Sequence, residues 1–220
     1  MIRNYLLFFI LSCTFSLYAQ LGVQVTANFN QASDVFLPGI GDIEVEEFDV
    51  GNEIALNYWF RLPKQRIEFL PTLYYADSKI EGTNTSLKEY GAQLKVNIYP
   101  FDFLGDCDCP TFGKQGPQLQ KGFFLQFAGG YTLYDSEAFV ETPSFDNGSG
   151  LTFGGGIGLD IGLSNLFTLT PIAGIRFGTS PYDNRIFTDD NGQELDVDGP
   201  KLTTFQVGLQ VSFRLDHKKY

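Results

Sequence analysis

The segment Asp106-Cys107-Asp108-Cys109 holds the densest group of reactive side chains in this 220-residue chain. Thiols separated by one residue, in a secreted chain, have three outcomes: a small strained disulfide that is easily reduced or reshuffled, unpaired or partner-linked thiols, or part of a metal site. A zinc-type centre wants four converging ligands, and one short segment offers only two thiols and two carboxylates. No metal is therefore assigned, and Cys107 and Cys109 stand as a disulfide or thiol site. Other chemistry is thinner still. The single histidine, His217, follows the last patterned stretch, so a Ser-His-Asp arrangement has no base. Glu53, Glu68 and Asp160 could serve a carboxylate hydrolase, but charged residues of both signs accompany them and fit a structural ion-pair network better. Gly154-Gly155-Gly156-Ile157-Gly158 lies inside an alternating run and is no phosphate loop. The carboxylate-rich stretch 189–199 lacks the glycine and the terminal glutamate of an EF-hand loop and reads as a solvated tip able to gather divalent ions. No catalytic residue and no cofactor is expected, and the chain reads as something other than an enzyme.

The charged residues Glu53, Arg61, Glu68, Lys95, Asp160, Arg176 and Arg214 share one property: each sits in a stretch of period two. The longest such stretch puts Phe205, Val207, Leu209, Val211, Phe213 and Leu215 on one face and Thr204, Gln206, Gly208, Gln210, Ser212 and Arg214 on the other. That alternation is a β-strand with one oily and one wet face. Similar stretches begin near residues 21, 50, 67, 90, 123, 151 and 167, which makes about eight strands. Most exceed an average globular strand and suit a tilted membrane strand of ~9–11 residues with its wet ends. The connections at 31–48, 78–87, 135–149 and 179–200 are long or polar, the last being the most acidic, whereas Pro63-Lys64-Gln65 and 162–166 are tight turns. Long outer loops alternating with short inner turns place both chain ends on the periplasmic side. The connection 100–120 breaks the rule as an elaborated inner turn. Pro71 and Pro171 fall within strands, where each forfeits a ladder hydrogen bond, and a bulge near the rim is the expected accommodation.

Periodicity alone does not say which face meets water. A soluble eight-stranded barrel would put the oily face inside. Here the wet face, turned outward, would be poor in charge and rich in Gly and Gln. Turned inward, its seven charged residues can pair with one another. The oily face carries essentially no charge, and Tyr58, Phe60, Phe69, Tyr75, Phe123, Phe167 and Phe213 lie near strand ends, as interface girdles do. Large inward Trp59, Tyr74, Tyr99, Phe124 and Tyr134 beside inward Gly154, Gly156, Gly158 and Gly174 point to large-into-small packing and a filled bore. The reading is all-β: an eight-stranded antiparallel up-and-down transmembrane β-barrel with four outer loops and three periplasmic turns.

A mean hydropathy of −0.06 agrees, because lipid-facing and interior residues cancel along each strand. Residues 1–19 read as a cleaved secretory signal, with Arg3, an apolar core over 5–11 and Leu17-Tyr18-Ala19 before Gln20. Residues 20–220 then form the barrel domain. Ile10-Leu11-Ser12-Cys13 is a poor lipoprotein box. The net charge of −11 excludes a nucleic-acid footprint.

Gln206, Gly208, Val211 and Phe213 occupy the four anchor positions of a closing-strand signal, and the run resembles that of bacterial outer-membrane barrels, although Asp216 to Tyr220 follow it. L-P-T-L-Y and T-P-I-A-G-I are similar to strands of small Bacteroidetes-type barrels. The resemblance is to the OmpX and OmpA-transmembrane-domain type, porin-family proteins of the Gram-negative cell envelope. It implies contact with outer-membrane lipid and lipopolysaccharide, insertion by the barrel-assembly machinery, and a structural or interaction role through exposed acidic loops. A small-solute pore, or an accessory subunit of an envelope export or assembly complex, is the alternative.

Overall fold

The computed structural model describes residues 20–33, 35–37, 41–43, 48–62, 65–79, 81, 86–101, 118–136, 148–164, 166–179, 185–188, 194–197 and 201–213. The signal segment, Cys107, Cys109 and Arg214 lie outside them.

Eight long strands carry the period-two pattern: β1 (Gln20–Ala32), β4 (Gly51–Leu62), β5 (Ile67–Lys79), β6 (Ser86–Ile98), β7 (Phe123–Ser136), β8 (Ser149–Leu159), β10 (Phe167–Gly178) and β13 (Leu202–Phe213). Each pairs antiparallel with its chain neighbour, and β1 pairs with β13, so the sheet closes on itself. A two-residue strand, β9 (Ile161–Gly162), bonds to β10 beyond the end of β8. Two short ribbons stand in the outer connections, β2 (Val35–Leu37) with β3 (Gly41–Ile43), and β11 (Arg185–Thr188) with β12 (Glu194–Val197). The inner connection between β6 and β7 ends in one helical turn, α1 (Gln118–Gly122).

The register fixes the dimensions. Following paired residues round the wall leads from Gly22 through Asn57, Thr72, Gln93, Gly130, Thr152, Gly178 and Leu202 back to Ala32, ten residues above the start. Eight strands with a shear of ten tilt by ~40° and enclose a backbone cylinder of ~8 Å radius. A bore that narrow is filled by the side chains pointing into it.

The faces divide cleanly. The outer face is oily and exposed, as at Leu73 (65% exposed), while the inner face buries polar and charged groups, as at Arg176 (3%). Two aromatic girdles bound the oily belt. The inner one includes Phe60 stacked on Phe69 at 5.3 Å and Phe167 edge-on to Phe213 at 4.6 Å; the outer one includes Tyr75 against Tyr90 at 5.2 Å. On β13 the girdle positions Phe205 and Phe213 are eight residues apart, about 20 Å along the axis at this tilt.

Three expectations need correction. Neither proline forms a bulge. Pro71 pairs in register with Leu94, and Pro171 with Leu209. The ladder on each proline's other side is interrupted instead: β4–β5 pairing skips from Asn57↔Thr72 to Phe60↔Phe69, and β8–β10 pairing ends at Gly158↔Ile172 and resumes as β9–β10 at Ile161↔Leu169. The register is the same before and after each gap, so no residue is inserted. Each proline lacks the N–H that would bridge the gap on that side, and β9 continues the line of β8 beyond the gap opposite Pro171. Leu87, expected in a loop, lies on the inner wall, because β6 starts at Ser86. The large-into-small packing is real but partly relocated. Phe124 covers Gly158, Tyr74 covers Gly91 and Tyr134 covers Gly178, whereas Gly154 and Gly156 lie against the carbonyls of Ile175 and Ala173.

A Cβ on Gly158 would overlap the Phe124 ring, while one on lipid-facing Gly129 has its nearest neighbour at 3.9 Å. Gly158→Leu should destabilise the barrel by ~1–3 kcal/mol through overpacking, and Gly129→Ala should leave it unchanged or gain up to about 1 kcal/mol. Urea midpoints in phospholipid vesicles check both.

Candidate functional site

The inner face assembles two ionic clusters. In the outer half, Arg176 on β10 donates from Nη1 to Glu53 Oε2 (2.7 Å) on β4 and from Nη2 to Glu89 Oε2 (2.9 Å) on β6. Each partner strand lies three strands away from β10, in opposite directions round the wall. One guanidinium therefore braces the bore at three points. Its planar fork suits this task, since two carboxylates meet two different edges of it. Glu53 Oε2 also accepts from Gln206 Nε2 (2.8 Å) and Asn28 Nδ2 (3.2 Å), and Arg176 lies over the Tyr74 ring at 4.4 Å.

Below this, Lys95 on β6 crosses the lumen to donate to Gln24 Oε1 on β1 at 3.0 Å. Lys95, Gln24, Gln93, Gln126, Arg176 and Gln206 line a small cavity of about 20 Å³ whose other wall is Ala128, Gly154 and Gly174. Gln126 donates to Asn97 (2.8 Å) and Asn57 to Gln210 (3.1 Å), and these neutral amides separate it from a second small cavity of about 10 Å³ bounded by Trp59, Glu68, Asn97 and Asp160. Spaces so lined are polar enough to hold water.

The inner cluster joins Arg61 to Glu68 as an ion pair. The Tyr99 hydroxyl lies 2.6 Å from Glu68 Oε2 and 2.7 Å from Asp160 Oδ2, and Thr170 donates to the other Asp160 oxygen. Arg61 also stacks over Trp59 at 5.2 Å. The structure thus brings Glu53 together with Arg176, and Arg61 and Glu68 with Asp160, and sets Lys95 between the clusters.

Glu89 is missed by the sequence reading, which begins this strand at Tyr90, four residues too late. The alternation Leu87, Glu89, Gly91, Gln93, Lys95 is unbroken and is the signal that places it inside. Above Glu89, Leu87, Tyr134 and Leu202 form an apolar layer with Phe48 packed on it, at the outer mouth. Near the inner end Tyr99, Phe124 and Ile172 form another. Among the described residues no three His, Cys, Asp or Glu side chains converge as metal ligands. On β13, Val211 and Phe213 face outward, while Gln206 and Gly208 face inward. A Cβ on Gly208 would strike the Val25 carbonyl oxygen, so a side chain there would push the closing seam apart.

No helix among the described residues is long and apolar enough to cross a membrane. A closed ladder with lipid-compatible residues outside and ions inside crosses with strands. The chain is an integral β-barrel of the outer-membrane type. Among solved structures it is similar to Neisserial surface protein A (9% identity over 90% of this chain and 97% of that one, TM-score 0.46). It is similar also to the outer membrane protein OprG from Pseudomonas aeruginosa (14%, 90% and 97%, 0.47) and to Ail, the attachment invasion locus protein of Yersinia pestis (12%, 89% and 97%, 0.46). No family model matches the chain, and no curated protein matches its sequence.

Removing Arg176 strands two buried carboxylates. Arg176→Met should cost ~3–5 kcal/mol, and adding Glu53→Gln and Glu89→Gln to it should recover most of that loss, because an uncharged interior leaves no ion unpaired. Urea unfolding in vesicles, followed by gel migration with and without heating, reads both steps.

Proposed function

We propose that this protein is a side-chain-filled, non-catalytic barrel that holds an acidic interaction surface at the outer face of the membrane. The observation that carries the first half is the Arg176 brace, which spans the bore to Glu53 and Glu89 beneath the apolar layer of Leu87, Tyr134 and Leu202. The second half rests on charge. The outer connections 33–50, 80–85, 137–148 and 179–201 hold sixteen carboxylates against two cations, whereas the whole chain nets −11, so all other residues together carry a small positive balance. Net charge that segregated favours cationic partners, or divalent ions bridging to lipopolysaccharide, and disfavours anionic ones. A small-solute pore is the second reading, and it would require the two water-sized polar cavities in the lumen to open into each other.

The assembly role of Gln206, Gly208, Val211 and Phe213 belongs to the same proposal. Their support is position: they lie on the strand that seals the cylinder against β1. The Bacteroidetes-type resemblance likewise rests on the quoted strand segments alone, and Cys107 and Cys109 are kept as a thiol or disulfide site on the inner connection.

In planar bilayers the purified barrel should give a flat baseline, and steady single-channel steps would favour the pore instead. Replacing Asp189, Asp190, Glu194, Asp196 and Asp198 with their amides should leave heat-modifiable migration intact and sharply weaken salt-sensitive binding of polylysine to barrel-bearing vesicles. Unchanged polylysine binding would remove the acidic-surface reading.

A further inference from the structure

On the side of β7, β8 and β10 the oily belt does not stop at the inner girdle. Phe123 opens β7 on the outer face, and Phe101, three residues past the end of β6, lays its ring against it at 5.4 Å. Phe101 is 55% exposed and Leu119 of α1 is 70% exposed; Leu163 and Leu166, in the β9–β10 turn, are exposed as well. The helical turn is fastened to this rim. The Asp160 N–H donates to the Gly122 carbonyl at 2.9 Å, and a Cβ on Gly122 would collide with the Asp160 carbonyl oxygen, so α1 lies as close to the end of β8 as a glycine allows. The remaining inner connection, 63–66, reads Pro-Lys-Gln-Arg and carries no large apolar residue but the proline. Among the described residues of the inner connections, exposed large apolar side chains fall on one arc of the rim, with Leu62 at the end of β4 exposed opposite them.

An inner turn standing in water has no use for such residues. A bilayer or a protein partner could cover them, and the Phe101–Phe123 contact decides between the two, because it joins the patch without a gap to the surface already covered by lipid. We propose that Phe101 and α1, the described ends of the connection from β6 to β7, form a one-sided membrane anchor, with Phe101 and Leu119 seated in the interfacial zone of the inner leaflet. Aromatic rings at that depth and apolar side chains on a short amphipathic segment are what an interface accepts. The two anchor residues bracket Cys107 and Cys109 in sequence. The proposal rests on the membrane reading of the barrel.

Trp59 is the only tryptophan and lies inside the barrel, so Trp59→Phe supplies a dark background. On it, Phe101→Trp, Leu119→Trp and, as a girdle reference, Phe123→Trp are each folded into phosphatidylethanolamine–phosphatidylglycerol vesicles whose acyl chains carry bromine near the headgroup. Heat-modifiable migration confirms that each variant has folded. The anchor requires that indole emission from positions 101 and 119 be lost to brominated lipid to an extent comparable with the girdle reference, and resist aqueous iodide. Quenching of the reference alone, with positions 101 and 119 open to iodide, would overturn the anchor and leave the barrel reading standing. Failure of the girdle reference to respond would overturn the membrane reading itself.

Discussion

Closure of the hydrogen-bond ladder is the constraint from which the rest of this structure follows. In a bilayer no water reaches an unpaired N–H or C=O, so a sheet that crosses must have no edge. The β1–β13 pairing removes the edge, and the ten-residue shear that comes with it sets the tilt and hence a bore of ~8 Å backbone radius. Once the outside has been given to lipid, the ionic groups on the inner face of the strands have to be neutralised within that narrow space. The prolines show how firmly closure dominates. Each costs a hydrogen bond on one side, yet the register runs past both without a shift, because inserting a residue in one strand would change the register of the whole cylinder.

The interior is an answer to the charge problem that closure creates. Charged side chains in a low-dielectric wall are costly singly and tolerable in pairs. Arg176 serves two carboxylates at once, and Glu53 in turn takes donors from Asn28, Gln206 and Arg176. These bonds run across the lumen between strands that share no ladder, so they add stiffness that the sheet alone lacks. A rigid, occluded cylinder has little left to do in its bore, which is why the functional reading moves to its ends.

Strand positions and face assignments are legible in the sequence because a period of two repeats over a dozen residues and both faces have distinct chemistry. What is not legible needs facts from more than one strand. Glu89 is inside by parity, but its significance comes from Arg176, 87 residues later in the chain and three strands distant. Likewise the Tyr99 bridge between Glu68 and Asp160 depends on register, which alternation does not encode. The ribbons β2–β3 and β11–β12 read as plain loop, because three- and four-residue strands in acidic segments have too few positions to show a period. The closing-strand positions carry more information than their neighbours for the opposite reason: Gly208 answers a local clash, and a clash leaves a residue-type signature.

The two ends of the cylinder differ in kind, and that difference is the physical basis of the proposed role. Outside, the connections concentrate the excess negative charge, and the β2 and β12 ribbons come into contact there although they belong to loops far apart in the chain. Carboxylates at that density repel one another, and the cationic partners proposed above would relieve that repulsion where the loops meet. At the inner rim that excess is missing, and the exposed groups on one arc are apolar. A barrel so polarised presents different chemistry to the two sides of the membrane, carboxylates at one end and an apolar arc at the other. In the proposed role, the choice of partner follows from the charge at one end of a closed sheet and the anchoring from the apolar arc at the other.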